Sequence, residues 1–234
     1  MSPLTLGGDL TTGLIIDQLR RGPVLLQLPQ VYTLIAPSTS RGAASLDAMK
    51  RRLPGKNYGT AAGDLRAFWE MIRLDDLPPG VDSALVLEAT QDVFYRCRVG
   101  DESMNTKAVR GGSHQTLVLG GVARELMREI EAAFEGDEER ALFCGHSFSA
   151  PLITSCNVSG DPLGSITDED RAMEFMQQRG VGLWVRCPEE VSESGSYPIL
   201  DLSADGIRIG REGPGLERIL RSMPSGAVSD RAAG

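Results

Sequence analysis

The chain has 234 residues, 41% of them hydrophobic and 24% charged, and a formal net charge of −8 at pH 7. That length can bury a core without disulfide or metal staples, and no apolar run reaches the roughly 18 residues of a membrane-crossing helix. An acidic balance with scattered cations argues against an extended nucleic-acid surface. Four cysteines without a C-x-x-C pair, and only two histidines, argue against a zinc site and fit a reduced cytoplasmic setting.

A first helix is predicted from Thr11–Thr12 to Arg20, with Leu14, Ile15 and Leu19 on one face and Gly22-Pro23 ending it. Strands are expected over 24–28 and 31–36, and a second helix over 43–52, closed by Pro54. Asp64 opens a third helix that runs to Ile72. The runs 84–89 and 93–99 read as strands, 100–105 as a polar loop, and 117–134 as a long amphipathic helix, strongest from Val122. Segments 142–144 and 152–153 read as short strands. Thr167 or Asp168 opens a helix to Gln178 that Gly180 closes, strands follow over 182–186 and 199–202, and a last helical turn covers 216–221. Strands alternating with helices imply an α/β domain, a mixed sheet with helices packed on it. One domain is expected over 1–224, with 225–234 a tail too poor in apolar residues to order itself.

Two segments carry chemistry. In Pro151–Gly160 an apolar run feeds a Ser-x-Asn-x-Ser-Gly turn, Ser155, Asn157, Ser159 and Gly160. Its small hydroxyl and amide groups can donate and accept without filling space, and Gly160 permits a sharp turn. In Lys50-Arg51-Arg52 cations sit at a helix C-terminus, where the dipole favours them. Arg52 offers a fork for two phosphate oxygens and Lys50 a point charge. Taken alone, each segment is equally an ordinary turn and an ordinary basic helix end. Cys144-Gly145-His146-Ser147 lacks the spacing of a nucleophile elbow and an orienting acid.

Together these segments resemble the YrdC-like family, which includes threonylcarbamoyl-adenylate synthases. Lys50/Arg52 stand as its Lys-x-Arg element and Ser155/Asn157/Ser159 as its Ser-x-Asn-x-Ser element. Thr106 to Arg110, followed by His114, resembles its Thr-x-x-x-Arg segment, and Ile199 to Leu202 followed by Arg211-Glu212-Gly213 its closing strand and Arg-x-Gly. The order is kept from about Leu14 to Leu220. Arg52-Leu53-Pro54-Gly55-Lys56-Asn57-Tyr58 and Gly63-Asp64-Leu65-Arg66 look closer to the YciO branch.

The resemblance implies a twisted mixed sheet with flanking helices and a large concave cavity. It implies that bicarbonate and an amino acid form a carbamate, which attacks the α-phosphate of ATP and releases pyrophosphate. Mg²⁺ would accompany the ATP, held mostly by phosphates. Lys50 and Arg52 would carry the catalysis, and Lys50, Arg52, Asn57, Thr106, Ser155, Asn157 and Arg211 would contact the nucleotide. Tyr32 and Arg110 would face the amino acid. A downstream carbamoyl transferase would take the product, and neither a membrane nor direct tRNA binding is expected. The threonine side departs from the family pattern: Leu28 replaces a Thr, Thr33 a Gly, and Tyr197-Pro198 a Ser-Thr pair. Losing a hydroxyl partner weakens discrimination for a hydroxyl-bearing substrate, so the acceptor is left open: threonine, the substrate the resemblance implies, or another amino acid or amine. The alternative is a catalytically inactive YciO-like nucleotide- or RNA-binding module.

Overall fold

Along each strand alternate side chains leave on opposite faces, and here both faces are apolar. In β2 (Val24–Gln27) Leu25 joins one core cluster and Leu26 the other; in β3 (Tyr32–Ala36) Leu34 and Ile35 divide the same way. Both faces must therefore be covered by helices. The computed structural model describes residues 3–7, 9–189, 193–224 and 226–228. Its other elements are β1 (Leu4–Thr5), α1 (Asp9–Leu19), α2 (Ser40–Lys50), β4 (Gly59–Ala62), α3 (Arg66–Met71), α4 (Ala84–Glu88), β5 (Val93–Arg98), β6 (Ser113–Val118), α5 (Gly121–Ala133), β7 (Leu152–Ser155), α6 (Glu169–Arg179), β8 (Trp184–Arg186), β9 (Ile199–Ser203), β10 (Gly206–Arg211) and α7 (Leu216–Ser222).

The strands form one sheet in the order β1-β8-β2-β3-β7-β4-β6-β5-β9-β10. The β1/β8, β2/β8, β4/β6 and β5/β9 pairs are parallel and the rest antiparallel, so the sheet is mixed, as expected. On one face α2, α3, α4, α6 and α7 pack through Leu46, Phe68, Leu87, Phe175 and Ile219. On the other, α1 and α5 pack through Ile15, Leu19, Leu126 and Ile130. Those two helices cover only part of their face. The rest is the floor of a concave hollow.

Several elements differ from the sequence reading. Segment 84–89 forms helix α4 and not a strand; β5 is already flanked by β6 and β9, which leaves a further strand no place beside it. Segment 142–144 is a 3₁₀ turn, Arg140–Phe143, whose buried Leu142 and Phe143 imitate a short strand. The helix expected over 117–134 starts at Gly121, because Leu117 and Val118 pair with Phe94 and Val93 in the sheet. Helix α2 begins at Ser40, where the Thr39 hydroxyl accepts from the Gly42 N–H. It ends at Lys50, with Arg51 left-handed at φ 47°, before Pro54 is reached. In the segment read as a tail, Ala227 is buried and its carbonyl accepts from the Ile207 N–H at 2.7 Å; residues 225 and 229–234 lie outside the described residues. No described helix is long and apolar enough to cross a membrane.

Gly63, just beyond β4, lies in close contact with α5. Its carbonyl accepts from Arg124 Nε at 2.9 Å and Arg128 Nε at 3.1 Å, and its N–H donates to Glu131 at 2.8 Å. A Cβ there would sit 2.4 Å from the backbone nitrogen of Arg128. Gly63→Ala should therefore lower stability by about 1–3 kcal/mol, the usual cost of overpacking; urea unfolding would measure it.

Candidate functional site

The hollow has a volume of about 230 Å³ and spans the middle of the sheet. Its floor is apolar: Ile153 of β7 beside Gly59 of β4, and Leu117 of β6 beside Phe94 of β5. Its walls are polar: Thr33, Arg52, Lys56, Asn57, Gln115, Thr154, Ser155, Ser196 and Arg211. Asn57 and Gln115 also line an adjoining pocket with Arg96, Arg110, Gly111 and Ser113. Five cations thus line the two pockets, and no lining residue is a carboxylate. Arg96 is offset by Asp201 at 2.9 Å. The side chains of Arg52, Lys56, Arg110 and Arg211 have no carboxylate partner among the described residues.

Lys50 lies under the wall rather than in it. Its ammonium is buried at the end of α2 and donates to the Ser155 carbonyl at 2.5 Å, the Asn157 carbonyl at 2.7 Å and Asn157 Oδ1 at 3.1 Å. Three donors meet three acceptors. Its own carbonyl accepts from the Ser159 N–H at 2.8 Å. Burial, and then Arg52, push the Lys50 pKa down to about 7. The three oxygens oppose that shift, since a neutral amine has only two N–H groups to offer them. The Ser-x-Asn turn is closed further by Ser155 Oγ, which donates to Asn157 Oδ1 at 2.6 Å, and by Asn157 Nδ2, which donates to the Val158 carbonyl at 3.1 Å. Asn157 therefore shapes the turn, and Ser155 is its member that lines the hollow.

Arg52 does reach the hollow. Its guanidinium donates to the Asn57 carbonyl at 2.5 Å and to Thr154 Oγ1 at 3.4 Å, and lies 4.4 Å over the Tyr58 ring. Its Nε is buried without a hydrogen-bond partner. Arg211 lies 5.9 Å over Phe94 and donates to the Tyr197 carbonyl at 2.6 and 3.1 Å. Asn57 Nδ2 donates to the Ala108 carbonyl at 3.2 Å. Of the expected nucleotide contacts, Arg52, Asn57, Ser155 and Arg211 share one cavity.

Thr106 does not line either pocket. Its hydroxyl donates to the Leu142 carbonyl at 2.7 Å and accepts from the N–H groups of Ala108 and Val109, so it closes the turn that carries Arg110. Tyr32 faces away from the hollow. It packs on Trp184 against the other face of the sheet, and strand alternation sends Thr33 into the cavity instead. Leu28 is buried in the core under α1 and α5 and lines no pocket wall. Sequence reasoning missed Lys56, Gln115, Thr33 and Arg96. The first lies inside the quoted Arg52–Tyr58 segment; the others needed the period of β3, β5 and β6.

His114 is wholly buried on β6. Its Nδ1 lies 2.8 Å from the Ala108 carbonyl, which can only accept, so Nδ1 carries the proton. Nε2 lies 2.9 Å from Thr60 Oγ1, whose hydroxyl donates to Thr116 Oγ1 at 2.9 Å. Phe68, Phe143 and Phe148 surround the ring.

The fold is that of several solved structures. P. abyssi Sua5, in a complex described with L-threonine, matches at a TM-score of 0.65 and 14% identity, covering 97% of this chain. E. coli YciO matches at 0.62 and 12%, covering 91% of this chain and 96% of its own. HypF, in a form described as phosphate- and nucleotide-bound, matches at 0.57 and 15%, covering 85% of this chain. The chain spans 62% of the length of that Sua5 chain and 28% of that of HypF. No family model matches, nor does any curated protein. The fold that the YrdC-like resemblance implies is the fold found.

Two predictions follow from the buried groups. Lys50→Met keeps the apolar stem but strands three oxygens, so it should cost about 3 kcal/mol in urea unfolding. Burial pulls the His114 pKa down to about 4 from 6.5. Between those values the unfolded chain takes up a proton that the folded chain refuses, so stability falls as pH falls through that window. Glu131, pushed up to about 7 by burial, acts in the opposite sense. The comparison with His114→Gln isolates the histidine: from pH 7 to 4.5 the parent should lose about 2–3 kcal/mol more than the variant.

Proposed function

We propose that the chain is a cytoplasmic, ATP-using enzyme that forms a carbamoyl-adenylate from bicarbonate and an amino acid or amine. The observation that carries this reading is the cation-lined, carboxylate-free hollow in a chain whose net charge is −8. Bicarbonate and the amine first lose water to form a carbamate. A carbamate oxygen then bonds to the α-phosphorus of ATP, and the bond to pyrophosphate breaks. Such a transfer needs placement and charge compensation more than covalent chemistry. Arg52, Lys56 and Arg211 would hold phosphate oxygens, with Asn57 and Ser155 as polar contacts. Arg110 would hold the acceptor's carboxylate in the adjoining pocket. Lys50 and Asn157 would act by holding the wall, and Thr106 by holding the Arg110 turn. Mg²⁺ comes with the ATP; no described group of three His, Cys, Asp or Glu side chains is arranged to hold a metal. The L-threonine and nucleotide complexes of proteins with this fold support the substrate class.

The acceptor is proposed to be other than threonine, because Tyr32 does not face the cavity and the Thr33 hydroxyl that does is bonded to the Leu26 carbonyl. The product would pass to a downstream carbamoyl transferase. A second reading is a nucleotide-binding module without turnover. It is favoured by the departures at Leu28, Thr33 and Tyr197-Pro198 from the pattern of the threonine side.

The test is pyrophosphate release in the presence of ATP, bicarbonate and pooled amino acids, together with ATP binding by calorimetry. Release that depends on one amino acid is expected. Arg52→Ala should weaken ATP binding at least tenfold, about 1.4 kcal/mol or more. Unchanged ATP binding by that variant would remove the phosphate site from this cavity, and binding without release would favour the module.

A further inference from the structure

The geometry points to Tyr58 as a positioning residue that fixes the plane of the Arg52 guanidinium and thereby the orientation in which it meets phosphate. This rests on the anion-binding reading of the cavity. Arg52 is the cation whose fork faces the hollow from a loop, and a free arginine side chain on a loop samples many rotamers. Ordering it at the moment of binding costs affinity. Here the ordering is done beforehand. The guanidinium carbon lies 4.4 Å from the centroid of the Tyr58 ring, within cation–π range. Its two terminal nitrogens are steered to the Asn57 carbonyl and Thr154 Oγ1.

Tyr58 is itself held at its hydroxyl and at its backbone N–H. Tyr58 is 1% exposed and lines neither pocket, so it cannot touch a ligand and can act only through Arg52. Its hydroxyl donates to Asp47 Oδ1 at 2.7 Å, and its N–H donates to the Lys107 carbonyl at 2.7 Å. The Lys107 ammonium closes the ring of contacts on Asp47 Oδ2 at 2.5 Å. Asp47 belongs to α2, and Lys107 to the turn that carries Arg110. The platform under Arg52 is therefore bolted to both the helix that holds Lys50 and the turn that holds Arg110.

Calorimetry with ATP and with adenosine on the full chain separates the two roles. Tyr58→Phe keeps the ring and should bind ATP within about twofold of the parent. Tyr58→Leu keeps an apolar side chain without a π face and should lose about fivefold to thirtyfold in ATP affinity, while adenosine affinity stays unchanged. A folded Tyr58→Leu chain that binds ATP as the parent does, where Arg52→Ala does not, overturns the positioning role and leaves the anion site standing. If Arg52→Ala also binds ATP normally, the anion-site reading falls and this inference with it. Should Tyr58→Leu fail to fold, the parent chain supplies the readout. The Arg52 Hε resonance, identified by its absence in Arg52→Lys, should be shifted upfield by the ring, and an unshifted resonance overturns the proposal.

Discussion

A buried ammonium on three oxygens joins two distant parts of this chain. Lys50 ends α2, and the Ser155–Asn157 turn ends β7, more than a hundred residues later in the sequence; their contact turns a helix end and a strand end into one cavity wall. Burying a lysine costs several kcal/mol unless its protons find partners, and here each proton has one. The contact works in both directions: the carbonyls keep the ammonium charged, and the ammonium fixes where the carbonyls point. Ser155 Oγ is thereby placed at the hollow, and Arg52, two residues beyond Lys50, is thrown across the wall to the Asn57 carbonyl. Without that anchor the two motifs would be a frayed helix end and a Ser/Asn turn.

Charge then decides what the wall can hold. Most cations of this acidic chain are matched by neighbouring acids, as Arg124 is by Glu88 at 2.7 Å and Arg171 by Asp161 at 3.0 Å. Two of those around the hollow are held instead by carbonyls, Arg211 by Tyr197 and Arg52 by Asn57. A carbonyl accepts a hydrogen bond without cancelling the charge. Burial next to neutral acceptors pulls the Arg52 pKa below its ordinary value, although arginine stays charged. The result is positive potential over an apolar floor, with carboxylates kept off the lining. An anion entering such a site meets oriented donors and no like charge.

The mixed sheet with flanking helices was legible in the sequence, and so were the two segments that meet beside the hollow. Lys50/Arg52 and Ser155/Asn157 were visible because side-chain chemistry at short spacing is local, and helix ends were visible where a cap marks them, as at Asp168 and Gly180. What stayed hidden depended on neighbours. The strand β4, Gly-Thr-Ala-Ala, has only one β-branched residue and is held by β6 and β7 on its flanks. Strand β6 alternates polar and buried residues but ends in an apolar pair that merges by eye with the helix after it. Segment 84–89 is short enough that apolar content alone does not separate helix from strand.

Strand parity also explains why the acceptor side was harder to read than the nucleotide side. The proposed nucleotide contacts sit at or just beyond strand and helix ends, where a motif fixes its own geometry. The acceptor side was read along β2 and β3, where moving one residue moves a side chain to the other face. Tyr32 and Thr33 are adjacent in sequence yet lie on opposite sides of the sheet, one against Trp184 and one in the cavity. Thr33 Oγ1 is engaged, since it donates to the Leu26 carbonyl at 2.9 Å. The hydroxyl that β3 brings to the hollow is thus spent on the backbone of β2. An acceptor entering there meets Ser196, Gln115 and the Arg110 pocket as its polar surroundings. Those groups reach the cavity from strand β6, a β-turn and a loop, so the proposed acceptor side can vary through them while the sheet and the wall that carries Arg52 and Ser155 stay as they are.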